Sequence, residues 1–317
     1  MKKFLLFMLC PVMVICQSNL DGADALFERK QYNKAEQYIK GYLELHPKDL
    51  EGIELLGHAY FHQEKWDEAI ETYGSLVDVH PNNANYQFKY GGVLALKAKA
   101  ISKLRALGLI GDAKEALIKS ANLDPNHIEV RWALVELFMQ LPGIIGGSKS
   151  KSLKYANELQ NISKVDGYLA KGYIYEYDDE PELAEKYYKM AIKVGGSLTC
   201  FQKLTNLYEN VDAPEKAIAN IEAAQKKHER NALHYQIGKI SAEYNIQLQK
   251  GERCLKTYLK NYSLKDGVPM AWAHYRLAQI HMHQNNKAEA LKYIDLALTE
   301  LPEIKPFKEE KVKILSL

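Results

Sequence analysis

A period of 34 residues is the feature that most constrains how this chain folds. Pro47 and Pro81 lie 34 residues apart, and similar stretches precede them, KAEQYIKGYLELHP and EAIETYGSLVDVHP. Pro125 follows 44 residues later, which is one period plus an insertion of ten, and EALIKSANLDP precedes it. A repeat of this length is typical of one supersecondary unit that is stacked many times.

Each copy carries an alanine and, four positions later, an apolar or aromatic residue, so both side chains lie on one helical face. About twelve residues before most of these alanines lies another small residue, followed three positions later by a larger apolar one, as in Gly57 with Tyr60 and Gly172 with Tyr175. Two amphipathic helices per period predict a helical hairpin. The marker alanines are Ala35, Ala69, Ala113, Ala184, Ala217 and Ala290.

The pattern resembles the tetratricopeptide repeat (TPR) family, above all in LLGHAYFHQEKWDEAIETYGSLVDVHP, which carries nearly every expected position. Ser152 and Cys254 stand where two of the marker alanines belong. The resemblance covers residues 17–302 and implies an all-α, right-handed superhelical solenoid of about eight hairpins that bury each other's apolar faces. Residues 303–317 are predicted to form a capping helix.

The first residues, MKKFLLFMLCPVMVICQSN, indicate export. Lys2 and Lys3 precede an apolar run that is too short to span a bilayer, which is typical of a secretory signal peptide. We expect residues 1–16 to be removed after Cys16, with no transmembrane span in the mature chain. A lipid on Cys16 is disfavoured because Ile15 is bulky. The expected location is periplasmic or outer-membrane-associated.

The charge balance disfavours nucleic acid as a partner. Loss of Lys2 and Lys3 from 42 basic residues leaves 40, equal to the 40 acidic ones. General nucleic-acid binding needs a basic excess that neutralises phosphates. The two remaining cysteines, Cys200 and Cys254, are interpreted as core residues rather than as a disulfide framework.

No catalytic motif stands out, so neither an enzyme nor a cofactor is predicted. His58 and His62 lie one helical turn apart with Glu54 on the same face, a spacing that can hold a metal ion. The pair falls on the exposed side of a regular repeat, so polar surface is the favoured interpretation, and no metal site is predicted.

The stretch LPGIIGGSKS almost matches a phosphate-binding loop, but Ser148 stands in place of its second glycine, and a helix rather than a strand precedes it. The favoured interpretation is structural: Pro142 stops a helix, the glycines reverse the chain, and Ser148 or Ser150 caps the next helix. The second interpretation is an anion-binding loop. Its residues are Gly146, Gly147, Ser148 and Lys149. Ile144 and Ile145 are expected to pack against a neighbouring repeat.

The insertion in the third hairpin predicts a helix that runs on to Gly108, with Asp112 capping the next helix. It is basic, which suggests either a docking surface for an acidic partner or, as the favoured alternative, a solvated helix face. The basic residues are Lys89, Lys97, Lys99, Lys103 and Arg105.

The resemblance implies that the first helix of each hairpin lines a concave groove. Aromatic and polar residues in this position are typical of an interaction surface. We therefore expect a binding scaffold for a protein or an extended peptide, with a carrier of a small ligand, a sugar or organic acid, as the alternative. The candidate groove residues are Tyr86, Lys89, Tyr90, Trp132, Glu136, Tyr173, Tyr177, Gln202, Asn206, Tyr235, Lys239, Trp272, Tyr275 and Arg276.

Overall fold

The structure is a computed structural model that describes residues 20–317, apart from the side chains of residues 103 and 104. The predicted signal peptide, residues 1–16, lies outside the described residues. Residues 20–317 form seventeen α-helices and two short 3-10 turns, with no strand. None of the helices in this range has the length and apolarity needed to span a bilayer. The helices are α1 (Asp21–Glu28), α2 (Tyr32–Leu45), α3 (Leu50–His62), α4 (Trp66–Val79), α5 (Ala84–Ala100), α6 (Lys103–Leu123), α7 (Ile128–Gln140), α8 (Lys149–Ile162), α9 (Lys164–Tyr177), α10 (Pro181–Val194), α11 (Leu198–Asn210), α12 (Pro214–His228), α13 (Asn231–Tyr244), α14 (Leu248–Lys260), α15 (Met270–His283), α16 (Lys287–Glu300) and α17 (Lys305–Leu315).

Consecutive helices pair as hairpins, α1 with α2, α3 with α4 and α5 with α6 among residues 20–137, and α9 with α10 through α15 with α16 among residues 138–317, which confirms the predicted all-α array. In six of these hairpins the turn contains a non-glycine residue with positive φ, a left-handed step that reverses the chain within a few residues. The turn between α5 and α6 lacks this step, and in the turn between α7 and α8 the left-handed residue is a glycine, Gly146; both turns carry insertions. The left-handed turn residues are Lys30, Glu64, Asp179, Asp212, Asn245 and Asn285.

Small residues let the two helices of a hairpin approach closely. A Cβ atom added to Gly57 would lie 2.6 Å from the ring of Tyr73, and one added to Gly172 would lie 2.3 Å from the ring of Tyr188. Both tyrosines are buried, and all six marker alanines are 0% exposed. The repeated small residues therefore mark the packing side of each helix.

The chain divides into two compact units, unit 1 with the described residues up to Leu137 and unit 2 with residues 138–317. In unit 2, α17 packs on α16 and buries Phe307 completely. The Phe307 ring lies 4.9 Å from the rings of both Trp272 and Tyr275. Tyr275, which we expected in the groove, is instead a buried core residue, because α17 covers it.

The third hairpin lengthens both of its helices. Helix α5 has 17 residues and α6 has 21, against 13 in α3 and 14 in α4. The predicted break near Gly108 is wrong, because Gly108 and Asp112 lie inside α6. The chain breaks instead at Ile101 and Ser102, whose backbones are extended. An exposed glycine costs a helix only about 1 kcal/mol, which the length of α6 readily offsets.

We expect Gly172→Ala to destabilise the protein by about 1–3 kcal/mol, because the added Cβ must displace the buried ring of Tyr188. The matched control is Gly108→Ala. That glycine is exposed in α6 with no atom near its added Cβ, so alanine should stabilise the protein by about 0.5–1 kcal/mol. Urea unfolding of both variants checks the pair. Equal shifts in the two midpoints would contradict the close approach of α9 and α10.

Candidate functional site

A cavity of about 350 Å³ opens among the first helices of unit 1. Helices α3, α5 and α7 form its walls, while α4 and α6 supply its floor through the buried side chains of Tyr73 and Leu117. Most of the lining is hydrocarbon. The lining residues are His58, Phe61, Tyr73, Phe88, Lys89, Gly92, Ala95, Leu96, Lys99, Leu117, Ala133, Glu136 and Leu137.

The shape of the cavity follows from the sequence of α5. Its lining residues recur at helical spacing, so they lie on one face of the helix. Gly92 and Ala95 occupy the middle of that face and leave the space that larger side chains would fill. On the adjacent side Gly91 packs tightly against Leu117 and the Ala113 carbonyl of α6. Gly91 thus lets α5 pack closely on α6, whereas Gly92 leaves space for the cavity.

Charged groups stand at the edges of the cavity. Glu54 accepts hydrogen bonds from Lys89 and, at 2.8 Å, from Asn85 Nδ2, so Lys89 is held by the preceding hairpin. Lys99 and Glu136 are both exposed. The site therefore combines a hydrocarbon interior with charges of both signs at its rim.

His58 joins the cavity to a second cluster on α3. Its Nε2 lies 3.3 Å from Nε2 of His62, and its ring centroid lies 5.1 Å from that of Phe27. Burial lowers the pKa of His58, and the nearby His62 and Lys89 lower it further, more than Glu54 raises it. The imidazole is therefore neutral at pH 7.

The first helices of unit 2 carry polar side chains that pair one repeat apart. Asn210 Nδ2 donates to Glu176 Oε1 at 3.0 Å, from α11 to α9. Gln202 Nε2 donates to Asn206 Oδ1 at 2.7 Å within α11 and accepts a bond from Gln236 of α13 at 3.4 Å. A polar depression of about 320 Å³ lies on this face. It is lined by Glu176, Lys203, Asn206, Glu209 and Asn210.

Lys239 of α13 adds further contacts to these polar pairs between first helices. Its Nζ donates to Glu209 Oε1 at 3.0 Å and lies 3.6 Å from Glu243, which also pairs with Arg276 of α15 at 2.6 Å. Partial burial lowers the pKa of Lys239, but the hydrogen bond to Glu209 and the charge of Glu243 outweigh it, and the pKa is raised. Lys239 is therefore charged, and its charge is already matched within the protein.

The candidate groove residues divide by exposure. Tyr177 is 52% exposed, and its ring lies 6.0 Å from that of Tyr173, whose hydroxyl accepts a bond from Gln140 at 3.1 Å. Glu136 is exposed and Trp132 is half-buried, both on α7. In unit 2, Asn206 is also exposed and Lys239 half-buried.

Besides Tyr275, two more candidates are not available to a partner. Tyr86 and Tyr235 are each 8% exposed, the first in the core around Tyr73 and the second in the core around Tyr258. Tyr90 is half-buried against the first of these cores. The expectation that Tyr86 and Tyr235 face a groove is corrected, because each of them fills the space between neighbouring hairpins.

The 141–148 segment is a closed turn. The N–H groups of residues 145–148 donate to carbonyls of the same segment or of the end of α7; Gly147 N bonds to Pro142 O at 3.1 Å, and Ser148 N bonds to Phe138 O at 2.8 Å. Lys149 pairs with Asp178 and Glu180 of unit 2. Of the four predicted anion-loop residues, Gly146, Gly147 and Ser148 thus have their backbone N–H groups engaged, and Lys149 has its ammonium group engaged. The structural interpretation is therefore favoured.

The cap that follows this turn agrees with expectation, but the burial of its isoleucines does not. Ser148 caps α8 as predicted, accepting from Lys151 N at 3.2 Å. Ile144, however, is 95% exposed rather than packed, and Ile145 is only half-buried. The turn is held by its backbone hydrogen bonds, so its apolar side chains need not anchor it.

Sequence reasoning missed most of the cavity lining. Of the candidate groove residues, only Lys89 and Glu136 line it; His58 and Lys99 were singled out for other reasons, and Phe88, Ala95 and Leu96 were not singled out. The available signal was the Gly91-Gly92 pair, because only one of two consecutive glycines can face the partner helix.

We expect Gly147→Ala to destabilise the turn, since its Cβ would lie 1.7 Å from the Leu141 carbonyl oxygen. A strain of about 1–3 kcal/mol should appear in urea unfolding. Gly143→Ala is the control within the same turn, because its added Cβ meets no atom within 4 Å. Equal midpoints for the two variants would contradict a structural role for Gly147.

Two family models, both described as tetratricopeptide repeat, match the chain, one over residues 26–99 and the other over residues 271–304. The chain is 36% identical over 66 residues to the tetratricopeptide repeat protein 30 homolog of Drosophila pseudoobscura pseudoobscura, which covers 21% of this chain and 10% of that protein. The Drosophila melanogaster homolog is 35% identical over 66 residues, with the same coverage. The chain thus spans about a tenth of the length of the curated relatives it matches.

Among solved structures, the chain is similar to a tetratricopeptide repeat protein from Parabacteroides merdae, with a TM-score of 0.50 and 14% identity. The match covers 93% of this chain and 97% of the other. At this identity the likeness shows the fold.

Proposed function

Because this chain is a tetratricopeptide repeat protein, we propose that it is a non-catalytic binding protein that holds a protein or peptide through its first-helix faces. The observation that carries the proposal is the cavity in unit 1, which is hydrocarbon inside and charged at its rim. Binding energy concentrates where a large side chain of the partner enters a water-excluding pocket, and charged groups around it set orientation.

The size of the cavity supports a peptide side chain as its occupant. Pockets that enclose a small molecule measure about 300–1,000 Å³, so a cavity of about 350 Å³ is at the low end of that range. The alternative, a carrier of a sugar or organic acid, gains less support. A sugar needs many polar partners, whereas the cavity lining is mostly hydrocarbon. The 141–148 turn, the expected site for an organic acid, uses its backbone N–H groups in its own hydrogen bonds.

We expect Ala95→Leu to fill the cavity and weaken partner binding at least tenfold, about 1.4 kcal/mol, without loss of stability. Leucine is a good helix former, so α5 should remain intact. The control is Ala223→Leu, at an exposed position on the second helix α12.

The measurement is affinity capture from the protein's own cell envelope with wild type and both variants, followed by calorimetry on the captured partner. Proteins retained by wild type and Ala223→Leu but lost with Ala95→Leu are the expected result. Equal capture by all three would contradict the cavity as the site. A co-purifying small molecule that Ala95→Leu alone loses would favour the carrier.

We propose further that the protein acts in the cell envelope, supported by Lys2, Lys3 and the apolar run that follows them. N-terminal sequencing of the exported protein should find a chain that begins near Gln17. A chain that retains Met1, or one with a lipid on Cys16, would contradict this proposal.

A further inference from the structure

His58 and His62 bring two imidazole nitrogens close together on one helix. They lie one turn apart on α3, and their Nε2 atoms are 3.3 Å apart. Two nitrogens bound to Zn²⁺ at about 2.0–2.1 Å lie about 3.3–3.4 Å apart when the metal is tetrahedral, and only about 2.8–3.0 Å apart at a right angle. The observed separation therefore fits the tetrahedral arrangement without a change of backbone or of helix register.

The rings are held in this position by aromatic neighbours. The Tyr32 ring stacks on His62 with centroids 4.5 Å apart and planes 8° apart, and Phe27 packs beside His58. Both neighbours come from the first hairpin, so the pair is fixed from outside its own helix. A site that is fixed before the metal arrives loses less entropy on binding.

The exposure of the pair to solvent and the charges near it also favour the binding of an exchangeable metal ion. His62 is exposed, which leaves a path from solvent to the pair. The two charged groups that face His58 from nearby, Glu54 of α3 and Lys89 of α5, are paired with each other, so neither charge acts alone. No group of three or more His, Cys, Asp or Glu ligands occurs within the described residues, so the site offers two protein ligands.

We propose that His58 and His62 bind a Zn²⁺ ion through their Nε2 atoms, with water molecules in the remaining positions. In the metal-free pair one Nε2–H donates to the other Nε2. On binding, that proton moves to Nδ1 of the same ring, so both Nε2 lone pairs face the metal and no net proton is released. Neutral imidazole is a preferred ligand of Zn²⁺. The site is independent of the proposed peptide binding, although His58 also lines the cavity.

The test is calorimetric titration of the metal-free full chain with ZnCl₂ at pH 7.5 in a buffer that does not bind metals. We expect wild type to show a binding event that His62→Gln weakens at least tenfold. His58→Gln should have the same effect. His80→Gln is the control, since that exposed histidine has no second histidine one turn away, and its binding should equal that of wild type.

Cysteines are unchanged in all of these variants, so zinc bound by thiols contributes equally to each. His62 is exposed, and its replacement should leave the circular dichroism spectrum intact; His62→Gln therefore decides the matter if His58→Gln alters the fold. Zinc binding of His62→Gln equal to that of wild type would overturn the proposal. So would the absence of any zinc binding by wild type.

Discussion

The contact between a small residue on the first helix of a hairpin and a large ring on the second is the interaction on which the rest of each unit depends. At Gly57 and Gly172 the partner tyrosine lies closer than any Cβ would allow. This approach fixes how the two helices are rotated, and the rotation decides which residues face the core and which remain for a partner. A change at such a position therefore acts on the binding face as well as on stability.

The first-helix faces of the two units differ in chemistry although they are built in the same way. In unit 1 the small residues Gly92 and Ala95 leave an apolar depression. In unit 2 the same face is occupied by side chains that satisfy one another, such as Lys239 with Glu209. A partner on the polar face must replace contacts that already exist, whereas the apolar depression has only water to release. The larger gain in free energy is therefore expected in unit 1.

The number and type of the helices could be predicted because the same spacing of small and larger apolar residues recurs in most of the repeats. The site could not be predicted equally well. Whether Tyr86 faces solvent or the core depends on how α5 is rotated about its axis against the neighbouring hairpin, which a spacing of residues does not encode. The cavity depends on side chains from five helices, α3 to α7, and the spacing of residues within one helix does not show which of these side chains meet. The turn at Gly147 depends on which carbonyls its N–H groups reach, and the resemblance of this turn to an anion loop lies in composition alone.

The pattern of helix contacts has a consequence for how the protein folds and opens. Within the described residues, the main contacts join helices that are one or two places apart along the chain. Contacts of such low sequence separation need little loop closure, so each unit should fold quickly and from more than one starting point. The same locality means that a hairpin can open while the hairpins beyond its neighbours stay closed. Amide hydrogen exchange should therefore vary along the chain in steps of about one repeat.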